Sequence, residues 1–315
     1  MALVGMAPLL KDALQQNYTV GAFNFFNFDM LHAILQAAEE EQSPVIIQLC
    51  MSTHGYMKNF SRFVSLVKQY CEDYSIPIAL NHDHCPTLED AKFAIDCGFP
   101  SVMFDGSHMS FEENVKATKE IVAYAHNHGA CVEAELGCVP GFEDMVFAES
   151  AVLTDPDLAK TFVEQTGCDA LAISVGTAHG GVKTTQHLPI YFDRLEEIAR
   201  RIPNQPLVLH GAASLPAELF ACINRWGGSV EQMRICSEED ISKCTQYHVC
   251  KANMDVDNFM VYTAAIRQYL TEEPQEYNPG ALLKYAEAAF QKEVQHKMRN
   301  VTLSSEHNWL HGKKR

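Results

Sequence analysis

The sequence lacks the features that mark exported, membrane-spanning or nucleic-acid-binding proteins. It has no stretch approaching the roughly 20 apolar residues that cross a bilayer. Residues 1–10 carry neither a basic segment nor a cleavage site typical of an export signal. Lysines and arginines form no long run, and the formal net charge is −16. We therefore expect a cytoplasmic protein that binds neither membranes nor nucleic acid.

Paired cysteines and a serine-nucleophile turn are also missing. The eleven cysteines are an odd number, and no two of them form a C-x-x-C pair. In a chain of this length they are expected to be reduced and mostly buried, without disulfides. No Gly-x-Ser-x-Gly turn occurs, which disfavours a metal-free hydrolase.

The sequence does contain a regular alternation of short strands and amphipathic helices. Eight β-branched runs predict strands at Val20–Phe23, Val45–Leu49, Ile76–Leu80, Ser101–Phe104, Cys131–Glu135, Ala170–Val175, Leu207–Leu209 and Val249–Asn253. Between them, apolar residues recur at helical spacing, as at Met30, Leu31, Ile34 and Leu35. This pattern predicts an α/β protein with a closed (β/α)8 TIM barrel. We expect one domain over residues 1–315, with extra helices near the C-terminus.

Polar residues follow the predicted strands. They include Asn24, Asp83, His84, Asp105, Glu135, His179, His210, Asn253 and Asp255. In a barrel of this kind all strands end at the same face, and active sites are built there. The sequence therefore predicts a polar functional site at that face.

Three of these residues, His84, His179 and His210, predict a catalytic metal site. Neutral imidazole is the commonest zinc ligand, and three imidazoles leave one tetrahedral position for water or substrate. Asp105 and Glu135 either orient the imidazoles or hold a second metal. Bonds to the backbone would explain these two carboxylates equally well.

Asp83 and Glu143 are the candidate acid–base residues, because proton transfer beside a metal-polarised carbonyl requires a positioned carboxylate. Glu143 lies in a Gly- and Pro-containing stretch, residues 137–144, which predicts a movable loop after the fifth strand. On a regular strand His82 and His84 share one face and Asp83 points to the other. The strand must therefore twist or end here if Asp83 and His84 are both to reach the site.

Two glycine-containing turns, Gly176–Gly181 and Gly211–Ser214, follow the sixth and seventh predicted strands. Glycine lets backbone amides approach an anion such as phosphate, and this part of a barrel commonly holds one. Glycine also serves ordinary tight turns, so both interpretations stay open.

Taken together, these strings resemble the class II (metal-dependent) fructose-1,6-/tagatose-1,6-bisphosphate aldolase family. The matching strings are Gly21–Asn24, Asp83–His84, Ser101–His108, Val132–Gly137, Gly176–Gly180, Leu207–Gly211 and Asn253–Asp257. They occur in order from about residue 5 to residue 300, over nearly the whole chain. The resemblance implies an aldehyde-lyase that cleaves a ketose or ketose phosphate into a dihydroxyacetone-type ketone and an aldehyde.

The resemblance also assigns roles to residues. It implies that His84, His179 and His210 bind zinc, which stabilises an enediolate. Asp83 would handle the hydroxyl proton of the aldehyde half, and Glu143 the proton on the carbon of the ketone half. Substrate-binding positions would be Asn24, Cys50, Gly180, Lys183, Gly211, Ser214, Asn253 and Asp255. A monovalent cation near the phosphate, and a homodimer or homotetramer, are further implications.

The chain departs from the family pattern where phosphate is bound. Family members generally carry serine at Cys50, and serine at Ala213, where this chain has Ser214 one place late. Val256 replaces a threonine, and Gly280 stands where longer members supply an arginine. Each charge-assisted contact contributes about 1.5–3 kcal/mol. We therefore expect an aldolase whose substrate has shifted from fructose-1,6-bisphosphate.

Two other interpretations stay open. A conventional fructose- or tagatose-bisphosphate aldolase would replace the lost contacts with other residues. A catalytically silent barrel, kept as a binding or regulatory subunit, is favoured by Cys50, since a thiol is a poorer donor than a hydroxyl. The intact acid–base and histidine set argues against the silent alternative.

Overall fold

Eight parallel strands close into a barrel in the computed structural model, which describes residues 3–56, 59–143, 146–148, 150–179, 189–214, 217–230 and 236–310. The strands are β1 Val20–Asn24, β2 Val45–Leu49, β3 Ile78–Cys85, β4 Ser101–Phe104, β5 Cys131–Leu136, β6 Gly141–Glu143, β7 Val146–Ala148, β8 Ala170–Ile173, β9 Leu207–Leu209 and β10 Val249–Met254. Around the barrel the order is β1-β10-β9-β8-β5-β4-β3-β2, and β6 and β7 form a separate antiparallel hairpin. The predicted (β/α)8 barrel is confirmed. That residues 1–315 form one domain stays a prediction.

The helices surround the barrel and extend it at the C-terminus. They are α1 Met6–Gln16, α2 Phe28–Glu40, α3 Phe60–Tyr70, α4 Leu88–Asp96, α5 Phe111–Asn127, α6 Pro156–Thr166, α7 Phe192–Arg201, α8 Ala217–Arg225, α9 Glu238–Cys244, α10 Val256–Glu272 and α11 Pro279–His296. A π-helical turn, Lys297–Val301, continues α11. Among the described residues, every helix is too short or too polar to cross a bilayer.

Most predicted strand bounds agree to within one or two residues, but two predictions of local structure were wrong. The third strand, predicted to end at Leu80, continues to Cys85, because Asn81 is bonded inside the barrel to Gln48 of the neighbouring strand. The stretch predicted as a loop after the fifth strand contains β6, whose Phe142 pairs with Phe147 of β7. Polar residues suggested that a strand had ended at both places. The partners that keep these residues extended are distant in sequence.

The lower half of the barrel is filled by apolar side chains and plugged by α1. Met6 and Leu9 of α1 are fully buried against a cluster that includes Ala22, Ala79 and Ala172. Small residues on the strands leave room for the larger helix side chains at this end. The polar side chains are therefore concentrated in the middle and upper layers, at the end where the strands finish.

A chain of buried amides crosses the middle layer. Ser101 Oγ donates to Asn81 Oδ1 at 2.7 Å, and Asn81 Nδ2 donates to Gln48 Oε1 at 2.9 Å. Gln48 Nε2 then donates to Asn24 Oδ1 at 3.0 Å. Because these hydrogen bonds link the four side chains in series, they hold Asn24 in one orientation at the upper face.

A buried lysine ties the C-terminal helix to the loop after β9. Lys297 is fully buried, and its Nζ donates to Ser214 Oγ at 2.7 Å and to Glu238 Oε1 at 2.9 Å. The same Nζ lies 3.1 Å from Asp257 Oδ2 and 3.2 Å from Glu293 Oε1. Burial lowers the pKa of Lys297, but the carboxylates, Asp257 above all, raise it further, so the pKa is above its usual value.

Replacing this lysine with an uncharged side chain should destabilise the fold. In Lys297→Met the Asp257 carboxylate, itself fully buried, loses its cation. We expect the free energy of unfolding to fall by about 3–5 kcal/mol, as when one partner of a buried pair is removed. Urea unfolding measures it. The matched control is Lys284→Met, at an exposed position of α11. Equal stability of the two variants would mean that the buried Lys297 does not stabilise Asp257.

Candidate metal centre and active site

The end of β3 is irregular, and the irregularity turns two neighbouring residues into the barrel. The pairing of β3 with β4 shifts register between His82 and Cys85, and His84 has a φ of 36°. A left-handed φ is uncommon for a non-glycine residue and is typical of functional sites. His82 points outward, where its ring centroid lies 5.1 Å from that of Phe99. The predicted break of the strand at Asp83 and His84 is therefore present as a bulge.

The three predicted histidines meet above the polar layer. His84, His179 and His210 are buried, and one nitrogen from each lies within 4.8 Å of the others. The ring centroid of His84 is 4.7 Å from that of His210 and 5.4 Å from that of His179. Imidazoles arranged this closely around one point are a suitable ligand set for a divalent cation.

Asp105 lies behind His84, which is one of the arrangements that the sequence left open. Nδ1 of His84 is 3.1 Å from Oδ2 of Asp105, and the hydroxyl of Ser107 donates to Oδ1 at 2.6 Å. Burial raises the pKa of Asp105, but His84 and Ser107 lower it more, so the pKa is below its usual value. For His84, burial lowers the pKa, but Asp83, Asp105 and Glu135 raise it to about 10. The pocket around His84 therefore strongly favours positive charge.

The partner of His210 was missed by the sequence analysis. Nε2 of His210 is 2.8 Å from Oε1 of Glu133, and Nζ of Lys251 donates to Oε2 of Glu133 at 2.6 Å. All three side chains are fully buried. Burial raises the pKa of Glu133, but Lys251 and His210 lower it more, so the pKa is below its usual value. The carboxylate fixes the ring so that Nδ1 faces the cluster of the three histidines, where a cation would bind.

Signals for this pair were present in the sequence. Glu133 precedes Glu135 by two residues, and Lys251 precedes Asn253 by two, so each shares the inward face of its strand with a predicted site residue. A charge in mid-strand is rarely buried unless it is paired. The pairing of Glu133 with Lys251 depends on contacts across the barrel, and the periodicity of the sequence does not predict such contacts.

Glu135 lies close enough to the histidines to be a further candidate ligand for a metal ion. Its Oε2 lies 3.6 Å from Nδ1 of His210, and its carboxylate forms a second close cluster with His84 and Asp105. Burial raises the pKa of Glu135 well above its usual value, and the Asp105 carboxylate adds to the effect. Nδ1 of His210 has no hydrogen-bond partner in the part of the chain that the structure describes. A divalent cation would satisfy this nitrogen and stabilise the buried carboxylate, so the residues present fit such a cation.

Asp83 is held beside the histidines by two amide side chains. Nδ2 of Asn253 donates to Oδ1 of Asp83 at 3.1 Å, and Nδ2 of Asn24 donates to Oδ2 at 3.4 Å. Oδ1 of Asn253 has no hydrogen-bond partner among the described residues, so it is an acceptor available at the site. The structure thus brings Asn24, Asp83 and Asn253 together as predicted.

A pocket opens above Asp83 and His84. It is lined by Asn24, Phe26, Cys50, Ser52, Asp83, His84, Asp255 and Phe259. Cys50 Sγ lies 3.1 Å from the hydroxyl of Ser52, which places a hydroxyl beside the thiol. Burial raises the pKa of Asp255 to about 6, and the Asp83 and Asp257 carboxylates also raise it. Cys50 and Asp255, both predicted from sequence, therefore line this pocket.

The loop after β9 depends on a glycine and on Asp257. Gly211 has a φ of 62°, and a Cβ there would lie 2.5 Å from the carbonyl oxygen of Ala178. Beyond it, the amide of Ser214 donates to Asp257 at 3.1 Å, and Ser214 is buried. A substrate contact by Ser214 stays a prediction, since its amide and hydroxyl already have protein partners.

Gly180 and Lys183 lie outside the described residues, as does the side chain of Glu143. The backbone of Glu143 ends β6, at the hairpin that contacts the loop of His179. There the amide of His179 donates to the carbonyl oxygen of Pro140 at 2.8 Å, and a Cβ at Gly141 would lie 2.3 Å from the carbonyl oxygen of His179.

Comparison with known proteins agrees with this geometry. The family described as fructose-bisphosphate aldolase class-II matches residues 4–306. The chain belongs to this family. It is 38% identical to a fructose-bisphosphate aldolase of Treponema pallidum (strain Nichols), over 96% of each chain. It is 41% identical to a fructose-bisphosphate aldolase of Giardia intestinalis, over 89% of this chain and 86% of the other.

A solved structure shows the same architecture. The crystal structure of the YdjI aldolase from Escherichia coli K12 superposes with a TM-score of 0.77 and 27% sequence identity, covering 97% of this chain and 99% of that one. Membership of the class II aldolase family, first expected from the sequence strings, is thereby confirmed.

Within this family site, the ion pair behind His210 should control metal affinity. Glu133→Gln keeps the size of the side chain but removes the charge that pairs with Lys251 and orients His210. We expect zinc affinity to fall roughly 10–100-fold, the usual cost of losing such a partner. Competition with a chromogenic chelator measures it.

The matched control is Glu120→Gln. Glu120 is 51% exposed and accepts a 2.7 Å bond from Lys92 on the outer surface. Its zinc affinity should equal that of the unmodified protein. An unchanged zinc affinity in Glu133→Gln as well would mean that the pair does not orient His210.

Proposed function

We propose that this protein is a zinc-dependent aldolase that cleaves or forms the carbon–carbon bond next to the carbonyl of a sugar phosphate. One observation carries the proposal. Three buried histidines converge within 4.8 Å, and Asp83 lines the same pocket as one of them, His84. A metal site and an adjacent carboxylate are the two elements that proton transfer beside a carbonyl requires.

The three histidines, with Glu135 close by, would hold the cation. When bound, it would act as a Lewis acid that polarises a substrate carbonyl. Burial lowers the pKa of both His179 and His210, which keeps these imidazoles neutral and able to act as ligands. Asp105 accepts from Nδ1 of His84, which leaves Nε2 as its ligand nitrogen. Asp105 and Glu135, which cluster with His84, are the candidates for a second metal position.

Asp83 would transfer the proton at the hydroxyl of the aldehyde half. The amides of Asn24 and Asn253 fix its two oxygens, so the carboxylate reaches the substrate in one orientation. Glu143 remains the candidate for the proton on the ketone carbon. Asn253 offers its free carbonyl oxygen to a substrate hydroxyl.

The relatives support a phosphorylated ketose as the substrate class. A substrate shifted from fructose-1,6-bisphosphate is the first candidate, and fructose-1,6-bisphosphate itself, favoured by the names of the relatives, is the second. The departures at Cys50, Ala213, Val256 and Gly280 favour the shift. The silent alternative gains no support, since the metal and Asp83 positions are intact. Cytoplasmic location, a monovalent cation and a homodimer or homotetramer remain predictions.

Removing the metal should abolish the activity. We expect about one zinc per chain in the purified protein. Retro-aldol release of an aldehyde or triose should stop on chelation and return when zinc is added back. A coupled assay with fructose-1,6- and tagatose-1,6-bisphosphate and non-phosphorylated ketoses measures it. Turnover that survives complete chelation would contradict the proposal.

Replacing Asp83 should separate proton transfer from metal binding. Asp83→Asn keeps the shape of the side chain but cannot accept a proton, so kcat should fall roughly 10²–10⁴-fold while zinc content stays near one per chain. Asp193→Asn, at an exposed position of α7, is the control and should be fully active. A fully active Asp83→Asn variant would exclude Asp83 from the acid–base role.

A further inference from the structure

Two aromatic rings form one wall of the pocket. Phe26 follows β1 and Phe259 lies in the first turns of α10, and their ring centroids are 5.2 Å apart. Both side chains are partly exposed, and both line the pocket that contains Asp83 and His84. Partly exposed aromatic faces in a concave site are where a ligand buries apolar surface.

The barrel order shows which half of the substrate these rings face. The pocket is built at the ends of β10, β1, β2 and β3, which are consecutive around the barrel. The glycine-containing turns that suit a phosphate follow β8 and β9 instead. Asp83, assigned to the hydroxyl of the aldehyde half, lines the same pocket as the rings. The wall of Phe26 and Phe259 therefore borders the aldehyde half.

The charges in this pocket disfavour an anion beyond the cleaved bond. Its ionisable lining residues, among those described, are Asp83, His84 and Asp255. Two carboxylates would face a phosphate there, and lysine and arginine are absent from the described lining. Phosphate sites normally place arginine, lysine or backbone amides against the oxygens. Phenyl rings displace the water that would otherwise solvate the charge, which makes the repulsion stronger.

We propose that the aldehyde half of the substrate carries no phosphate and presents a neutral, partly apolar chain to Phe26 and Phe259. This inference rests on the aldolase function proposed above and specifies its substrate class. In the condensation direction, the donor carbon loses a proton and bonds to the carbonyl carbon of the aldehyde. The aldehyde oxygen gains a proton and becomes a hydroxyl, so no oxidant or reductant is needed.

The test compares acceptors in the condensation direction. Dihydroxyacetone phosphate is the donor, and D-glyceraldehyde 3-phosphate, D-glyceraldehyde and propionaldehyde are the acceptors. We expect kcat/KM for both neutral aldehydes to exceed that for the phosphorylated one by about tenfold or more, the effect of one missing charge-assisted contact. A preference for D-glyceraldehyde 3-phosphate would overturn the inference.

Substitutions of Phe259, which lies in α10, test whether the wall of Phe26 and Phe259 determines the acceptor preference. Phe259→Lys should raise kcat/KM for D-glyceraldehyde 3-phosphate relative to propionaldehyde by about tenfold or more, because it adds a cation and removes apolar surface. Phe259→Leu, which stays apolar, should keep the order of preference. Phe28→Leu is the control, since Phe28 packs on Phe63 and Tyr70 outside the pocket. An unchanged acceptor ratio in Phe259→Lys would overturn the role of the wall.

A donor-only measurement separates this inference from the proposed function. Exchange of the donor carbon proton in D₂O, followed by NMR with dihydroxyacetone phosphate and with dihydroxyacetone, requires no aldehyde. Exchange together with a preference for the phosphorylated aldehyde would overturn the inference and leave the aldolase function intact. Absence of exchange with both donors would overturn the aldolase function, and the inference with it.

Discussion

Closure of the eight-stranded sheet is the constraint on which the rest of the structure depends. Because all eight barrel strands are parallel, every strand delivers its last inward side chain to the same face. Small residues such as Ala22, Ala79 and Ala172 admit α1 at the opposite end, so apolar volume fills that half. The polar side chains must then pair among themselves in the upper half. The proposed metal position lies where those pairs converge.

Each candidate ligand is fixed by a different partner, and the partners differ in chemistry. His84 is bonded to Asp105, and His210 to Glu133, whose charge is balanced by Lys251. The loop of His179 is bonded to Pro140 near the β6–β7 hairpin. Buried charges of this kind cost free energy unless they are paired, and they orient the groups that they pair. These buried pairs therefore orient the candidate ligands, at a cost to the free energy of folding.

The sequence predicted the barrel and most of the site because both follow from periodicity. Strand ends carry the polar residues, so Asn24, His210 and Asn253 were found without knowledge of any contact. The positive φ of His84 was not predictable from pattern, although the need for a break beside Asp83 was. Glu133 and Lys251 were missed because their pairing crosses the barrel. The boundary of β3 was wrong because Asn81 bonds to Gln48 of the neighbouring strand β2, a partner distant in sequence.

The loop after β9 and the wall of Phe26 and Phe259, where the proposed substrate would be recognised, are built from contacts that periodicity does not describe. Ser214 is held by Asp257 and Lys297, which ties the loop after β9 to the C-terminal helix. Phe26 and Phe259 come from opposite ends of the sequence and meet only because β1 and β10 are neighbours. In the proposed function, the residues that would hold the metal differ from the two rings that would contact the aldehyde, so the aldehyde preference could change while the metal site is kept.

The most direct test of the metal centre is zinc K-edge X-ray absorption of the zinc-loaded protein. We expect a nitrogen and oxygen shell at about 2.0–2.1 Å, with the multiple-scattering pattern of three imidazoles. His210→Ala should remove one imidazole from that pattern. A sulfur shell at about 2.3 Å, or a spectrum unchanged by His210→Ala, would contradict the three-histidine site.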